Sequence, residues 1–191
     1  MRILFGCLIF LYLGGCQFLG TILNGTQRVY TIVADDRTTS DDLSDIQINA
    51  AVRNALGEKN GALMIDIEVT VFEGAVLLTG TVPRPDILTD IMTATWSVPG
   101  VRKVYNYVRV CESPSPVEVA AEAAIASRIK TQLGLTAGIE SSNYKLTLEG
   151  GTVYLMGVCA GDEEYAKVQA VIKSTDGVDK IIYLMRRPIE D

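Results

Sequence analysis

The chain carries one sequence pattern twice, with an offset of 77 residues between the copies. A glycine turn opens a short apolar strand and a second glycine closes it, first at 73–80 and again at 150–157. Residues 45–110 align without a gap on residues 122–187, and apolar positions agree far more often than polar ones. Burial constrains core positions and leaves surface positions free to vary. The pattern therefore predicts two copies of one domain of about 65 residues, near the lower size limit for independent folding.

Both copies open with a capping pattern that predicts a helix. Ser44 and Gln47 form the capping box of the first copy, and Gly57 is expected to end that helix. In the second copy, Ser115 and Glu118 form the equivalent box. Apolar residues then recur every four positions in each copy, which is typical of a helix with one buried face.

The rest of each copy predicts strand, strand, helix and strand. In the first copy, alternation from Ile65 to Val71 predicts a strand covered on one side, and a second strand returns after the turn at Glu73 and Gly74. The second helix is expected over 83–98 and an unbroken last strand over 101–110. The predicted fold class is α+β, with two tandem α-β-β-α-β domains, each a small three-stranded mixed sheet with two helices on one face.

The N-terminus has the pattern of a secretory signal. A short basic start precedes an apolar run over 3–13 that is shorter than a membrane span. The sequence Leu13-Gly14-Gly15-Cys16 then resembles the lipobox of bacterial lipoproteins. The resemblance implies that Cys16 becomes the first mature residue and carries a diacylglycerol and an N-acyl chain. The alternatives are a plain secretory signal with a chance cysteine, or an uncleaved anchor.

These features divide the chain into five segments. They are a lipoprotein signal peptide at 1–15, a tether at 16–42, a first domain at 43–111, a linker at 112–116 and a second domain at 117–188. Gln17 follows the cysteine, where an aspartate would resemble an inner-membrane retention signal. The expected location is therefore the outer membrane, on its periplasmic face, with the protein held by its lipid anchor.

Composition and motifs argue against several chemistries. The chain has a formal net charge of −6 and no histidine. No basic face is concentrated enough for nucleic acid, and the usual general base is absent, so we expect no enzyme and no cofactor. Cys111 and Cys159 are expected either to form a disulfide between the copies or to remain two separate, partly buried thiols. Without histidine or a close cysteine pair, a metal site is not expected.

Four residues are candidates for membrane or partner contact. Trp96 aligns with Lys173, while its neighbour Thr95 aligns with an inward residue, so Trp96 is expected about 100° from the core line of its helix. It could insert at the headgroup level, or cover the edge of its own domain. The cations of the last strand are Lys180, Arg186 and Arg187; they are either contact residues or an ordinary solvated strand edge.

A second apolar surface is predicted on the outward face of each sheet. It consists of Met64, Phe72, Leu77, Tyr105 and Tyr107 in the first copy, and Tyr154, Met156, Ile182 and Leu184 in the second. An apolar surface of this size needs a cover. We expect the two copies to pack on each other through it, and phospholipid contact is the second possibility.

The doubled element order and the segment Gly100-Val101-Arg102-Lys103-Val104-Tyr105-Asn106-Tyr107-Val108 resemble the BON domain. The acidic segment 35–38 before the first helix is also similar to lipoproteins with two such domains. The resemblance implies a non-enzymatic module that associates with phospholipid and supports outer-membrane integrity. A scaffold for envelope proteins is the alternative, and a thiol sensor using Cys111 and Cys159 is a third hypothesis. The second copy has Tyr183 in place of Asn106, so the two copies need not do the same job.

Overall fold

A computed structural model describes the protein from residue 39 to residue 186, with the side chains of residues 39–43 and of Met64 left out. The signal peptide, Cys16, most of the tether and Arg187 lie outside the described residues. The first domain contains α1 (Thr39–Lys59), α2 (Leu63–Asp66), β1 (Ile67–Phe72), β2 (Ala75–Val82), α3 (Asp86–Trp96), β3 (Lys103–Asn106) and β4 (Arg109–Val110). The second contains α4 (Pro116–Leu135), a 3-10 turn (Ser141–Asn143), β5 (Tyr144–Glu149), β6 (Thr152–Val158), α5 (Asp162–Lys173) and β7 (Lys180–Arg186).

Each domain is built on one small mixed sheet. In the first, β1 pairs antiparallel with β2, and β3 and β4 both run parallel to β2 on its other side. In the second, β5 pairs antiparallel with β6, and β7 runs parallel to β6. The parallel strand follows a helix in both domains, as a crossover connection requires. The predicted α+β fold of two tandem domains is confirmed.

Each domain also has its own apolar core between the sheet and its two long helices. Val76 and Val153, which are 77 residues apart, are both fully buried at the centre of these cores. The core of the first domain includes Val52, Leu56, Val76, Leu78 and Ile91. The core of the second includes Ile129, Leu133, Val153, Leu155, Val168 and Ile172. Residues at equivalent positions of the repeat therefore pack in equivalent places of the two cores, as the repeat predicts.

A carboxylate on the first helix holds the glycine turn of each hairpin. Asp45 is buried and accepts from the backbone N–H groups of Glu73 and Gly74 at 2.7 and 2.8 Å. Its equivalent Glu122 accepts from Gly151 N–H at 3.2 Å. No neighbouring strand accepts hydrogen bonds from these turn N–H groups. The carboxylates on the first helices accept them instead.

Helix boundaries correct two expectations and confirm a third. The first helix begins at Thr39, so Ser44 lies inside it and is not its cap, and Gly57 also lies inside because the helix continues to Lys59. One internal glycine costs about 1 kcal/mol, which is less than burying Val52 and Leu56 contributes. The capping box of Ser115 and Glu118 at the start of α4 is confirmed, and its hydrogen bonds lower the pKa of Glu118.

Strand boundaries correct two further expectations from the sequence. Ile65 was expected to begin a strand, but it lies in the short helix α2 and is 86% exposed. The last strand of the first domain was expected to be unbroken, but it is interrupted after Asn106. There the Asn106 side-chain oxygen accepts from Val108 N–H at 3.0 Å, a local bond that competes with the ladder.

Candidate functional site

The outward faces of the two sheets pack on each other. Phe72 and Leu77 of the first domain and Tyr154 and Met156 of the second are buried in one apolar cluster. The rings of Tyr107 and Tyr154 meet across it with their centroids 4.8 Å apart. The predicted packing between the copies is confirmed, except for Met64, whose side chain is not described. This face is therefore covered by the protein itself.

The interface is close to two-fold symmetric in sequence. At its middle, the hydroxyls of the equivalent residues Thr70 and Thr147 lie 3.1 Å apart. Towards either end, the equivalent arginines Arg109 and Arg186 each reach an acidic residue of the other domain. Arg109 pairs with Glu149 at 3.0 Å, and Arg186 pairs with Glu73 at 2.9 Å. The hydrogen bond that Arg109 donates to Glu149 raises the pKa of the Arg109 guanidinium. The symmetry is approximate, because the two arginines align with each other whereas Glu149 aligns with Phe72 and Glu73 with Gly150.

The structure describes two of the three predicted contact residues on the last strand, Lys180 and Arg186. The guanidinium of Arg186 is engaged by Glu73, so its charge is used within the molecule. Lys180 is exposed at the start of β7. Arg187 lies outside the described residues, and its role stays a prediction.

Trp96 is placed as its alignment predicts. It is the last residue of α3 and is 51% exposed, while its neighbour Thr95 is buried and donates to Ile91 O at 2.8 Å. The side chain therefore lies on the flank of the first domain. Its contact with a membrane or a partner stays a prediction.

A larger apolar surface, which was not predicted from the sequence, lies on α4. Val117 and Leu135 are 78% and 81% exposed. Val117, Ala124, Arg128 and Leu135 follow each other at intervals of seven, four and seven residues. These intervals are close to whole numbers of helical turns, so the four residues form one line along the helix. We call the α4 outer face the exposed residues Val117, Ala120, Ala121, Ala124, Arg128 and Leu135. It carries one positive charge and no acidic residue.

The repeat itself contains the signal for this face. In α1, position 117 corresponds to Ser40, 124 to Gln47 and 135 to the exposed Glu58. The second copy thus has aliphatic residues where the first has polar ones. Low charge on the exposed side of a helix is unusual for a purely solvated surface. Comparing the two copies at exposed rather than buried positions would have revealed it.

The two cysteines are not joined, so the possible disulfide is corrected. Cys159 is buried in the core of the second domain, with its Sγ 4.0 Å from Arg186 O, whereas Cys111 is exposed after β4. Because the Cys159 thiol is enclosed by the core of the second domain, it cannot reach Cys111 at the surface of the first domain. The pair therefore gives no support to the thiol sensor.

The carboxylates of an acidic cleft beside the linker accept structural hydrogen bonds. Glu149 accepts from Arg109, Glu118 accepts from Ser115 N–H, and Glu122 holds the turn at Gly151. Across the described part of the chain, no cluster of acidic or cysteine side chains has a metal-binding arrangement. Nor does any helix between residues 39 and 186 have the length and apolarity needed to span a bilayer.

Comparison with known families agrees with the resemblance. The family model described as "BON domain" matches residues 44–112 and residues 121–187, which together are more than half of the chain. The chain belongs to the BON domain family. Its two BON domains are the two repeats that the sequence predicts, and they share one α-β-β-α-β order.

Individual relatives extend this similarity. An "Outer membrane lipoprotein DolP" of Haemophilus influenzae is 26% identical over 188 residues, which cover 97% of this chain and 94% of that protein. An "Uncharacterized protein in gshII 5'region" of Anaplasma centrale is 38% identical over 63% of this chain and 80% of its own length. A "21 kDa hemolysin" of Actinobacillus pleuropneumoniae is 26% identical over 61% of this chain and 59% of its own length.

Proposed function

We propose that this protein is a lipid-anchored outer-membrane protein whose second BON domain lies on phospholipid through the α4 outer face, and that it supports outer-membrane integrity. The observation that carries the membrane contact is the exposure of Val117 and Leu135 on one line of α4, at 78% and 81%. The anchor brings the domain to the bilayer, and the helix face holds it there.

The chemistry of the α4 outer face suits a bilayer surface. The face extends over the whole helix, about 27 Å at 1.5 Å per residue. Aliphatic side chains enter the boundary between headgroups and acyl chains, and a cation within the same line binds phosphate. Arg128 is the cation in this line, while Glu118 and Glu122 lie on the side of the helix that faces the linker and the hairpin turn. No carboxylate would therefore have to enter the headgroup layer.

The location rests on the relatives and on the N-terminus. The Haemophilus influenzae relative is named as an outer membrane lipoprotein, and it matches almost the whole chain, which supports the same location here. Leu13-Gly14-Gly15-Cys16 supplies the acceptor for acylation. Two or more acyl chains hold a protein stably, whereas one helix face alone adds a weaker, reversible contact.

Vesicle flotation tests the membrane contact without the anchor. The sample is a chain that begins at residue 16 and carries Cys16→Ser, so that it has no lipid anchor. It is mixed with vesicles of zwitterionic and anionic phospholipid at low salt, and the fraction of protein that floats with the vesicles is measured. Because each aliphatic side chain moved from water contributes about 1.5–3 kcal/mol when fully buried, Val117→Asp combined with Leu135→Asp should lower the partition coefficient at least about tenfold.

Ile65→Asp is the matched control, since Ile65 is an equally exposed aliphatic residue on the first domain. It should leave flotation unchanged. Trp96→Ser tests the other apolar flank. Loss of flotation with Trp96→Ser alone, or no flotation of the parent chain, contradicts a contact through α4.

A cell assay tests the physiological role. A strain that lacks the gene should be sensitive to detergent, and the complete chain should restore its resistance. It should stay unrestored with the Val117→Asp and Leu135→Asp variant, provided that the variant is present at the same level. Full restoration by that variant would separate envelope integrity from the α4 contact.

A further inference from the structure

The side chains of the α4 outer face differ in size along the helix. Its two large aliphatic residues, Val117 and Leu135, lie at opposite ends, about 27 Å apart at 1.5 Å per residue. The residues between them on the same face are three alanines and one arginine: Ala120, Ala121, Ala124 and Arg128. An alanine side chain is a single methyl group. The aliphatic side chains that can reach below the headgroups of a bilayer are therefore those at the two ends of the face.

The α4 outer face also has little charge. Arg128 is the one charged residue in it, and the exposed residues beside it, Ala123, Ser127 and Thr131, are uncharged. One cation close to an anionic membrane surface raises binding by about fivefold. The chain as a whole has a formal net charge of −6, which opposes this attraction. Charge therefore contributes little to the affinity of α4 for phospholipid.

The apolar area that α4 can insert is small. Helices that bind strongly in the membrane interface combine a cationic face with Trp, Phe or Leu residues on the other face. The α4 sequence contains no aromatic residue, and its Ile129 and Leu133 are buried in the core of the second domain. Inserting so small an area does not offset the cost of separating tightly packed headgroups. Insertion is favourable where gaps between headgroups already expose acyl chains, as on a highly curved bilayer.

We propose that the α4 outer face selects phospholipid surfaces with loosely packed headgroups, such as highly curved bilayers, and that lipid charge is a minor factor in this selection. The inference deepens the proposed function, because it rests on the membrane contact of α4. Val117 and Leu135 enter separate gaps between headgroups, while the alanines between them let the helix backbone lie close to the surface. The lipid anchor keeps the protein on its membrane, and the helix face responds to the packing of that membrane.

Vesicle partitioning tests this selection, with lipid packing and lipid charge varied separately. The chain that begins at residue 16 and carries Cys16→Ser is titrated with small sonicated vesicles and with large extruded vesicles of the same phosphatidylcholine. We expect at least about tenfold stronger partition into the small vesicles at equal accessible lipid, which is the effect of one further buried aliphatic side chain. Replacing part of the phosphatidylcholine of the large vesicles by phosphatidylglycerol should raise partition by less than about fivefold at low salt.

Adding aliphatic area to the middle of the face should remove the selection. Ala120→Leu combined with Ala124→Leu makes insertion favourable in tightly packed bilayers as well. We expect partition into the large vesicles to rise at least about tenfold, and the difference between small and large vesicles to fall. The matched control is Ala166→Leu combined with Ala170→Leu, an exposed pair with the same spacing on α5, which should leave partition unchanged.

Two further variants separate the roles of charge and of the two ends. Arg128→Gln should lower partition into anionic vesicles by no more than about fivefold and leave the preference for small vesicles unchanged. Val117→Asp combined with Leu135→Asp should abolish partition into the small vesicles, because neither end of the face can then enter a gap between headgroups.

The possible failures of this inference and of the membrane contact are distinguishable. Equal partition of the parent chain into small and large vesicles would overturn the selection and leave the contact through α4 in place. Partition that requires phosphatidylglycerol, or partition into small vesicles that persists in the Val117→Asp and Leu135→Asp variant, would also overturn the selection. The absence of partition into every vesicle would overturn the membrane contact itself and this inference with it.

Discussion

The two BON domains keep the same interior and differ at two places on their surfaces. Leu78 and Leu155 are equally buried at equivalent positions, and Asp45 and Glu122 hold equivalent turns. The differences lie on the first helix, where α4 exposes aliphatic residues and α1 has polar ones, and on the last strand, which is broken only in the first domain. Packing constrains the core and turn positions in both domains. Differences between the domains at surface positions are therefore informative about function.

The shared interface explains how the copies could diverge. Each domain covers the apolar sheet face of the other, through Thr70 and Thr147 at its middle and arginine–glutamate pairs towards its ends. With this face closed, neither domain needs a ligand to cover it. The exposed face of α4 is not part of this interface.

The largest predicted effect tests the equivalence of the two cores. Leu78→Ala and Leu155→Ala should each lower the free energy of unfolding by about 2–5 kcal/mol, because each leaves a cavity in a closed core. Urea unfolding followed by circular dichroism measures both, and Ile65→Ala, at an exposed site, is the control. A loss below about 1 kcal/mol in only one domain would show that the cores are not equivalent.

An intermediate effect should distinguish the two turns. Asp45→Ala removes a buried acceptor of two short hydrogen bonds, and we expect a loss of about 3 kcal/mol. Glu122→Ala removes one longer bond at a half-buried site, so a loss of about 1 kcal/mol is expected. Asp45→Asn keeps an acceptor oxygen and should lose less than Asp45→Ala. If Glu122→Ala proves more damaging than Asp45→Ala, the turns are held differently from this description.

The smallest effect concerns Glu73, which has a positive φ of 48° where the second domain has Gly150. Glu73→Ala should lower stability by about 1 kcal/mol or less, because the Arg186 side chain of its ion pair is mostly exposed to solvent. Glu73→Gly loses the same ion pair but relieves a left-handed conformation that costs about 1 kcal/mol in other residues. It should therefore be close to neutral. Equal losses for the two variants, measured by urea unfolding at low and high salt, would exclude backbone strain at Glu73.

Periodicity and the repeat were enough to predict the fold, the element order and the covered sheet face. Each follows from burial, which leaves its period in the sequence at positions such as Leu146 and Leu148. The start of α1 and the break after Asn106 were not predictable in this way, because local side-chain bonds and helix packing decide them. The α4 outer face was missed because exposed aliphatic residues in an alanine-rich helix look like part of its buried stripe.

Paramagnetic attenuation by vesicles that contain a spin-labelled phospholipid tests the central claim most directly. In the processed chain with Cys16→Ser, the amides of Val117, Ala124 and Leu135 should be attenuated strongly, and those of the equivalent α1 residues Gln47 and Glu58 weakly. Equal attenuation of α1 and α4, or stronger attenuation of α1, would contradict the assignment of the membrane contact to the second BON domain.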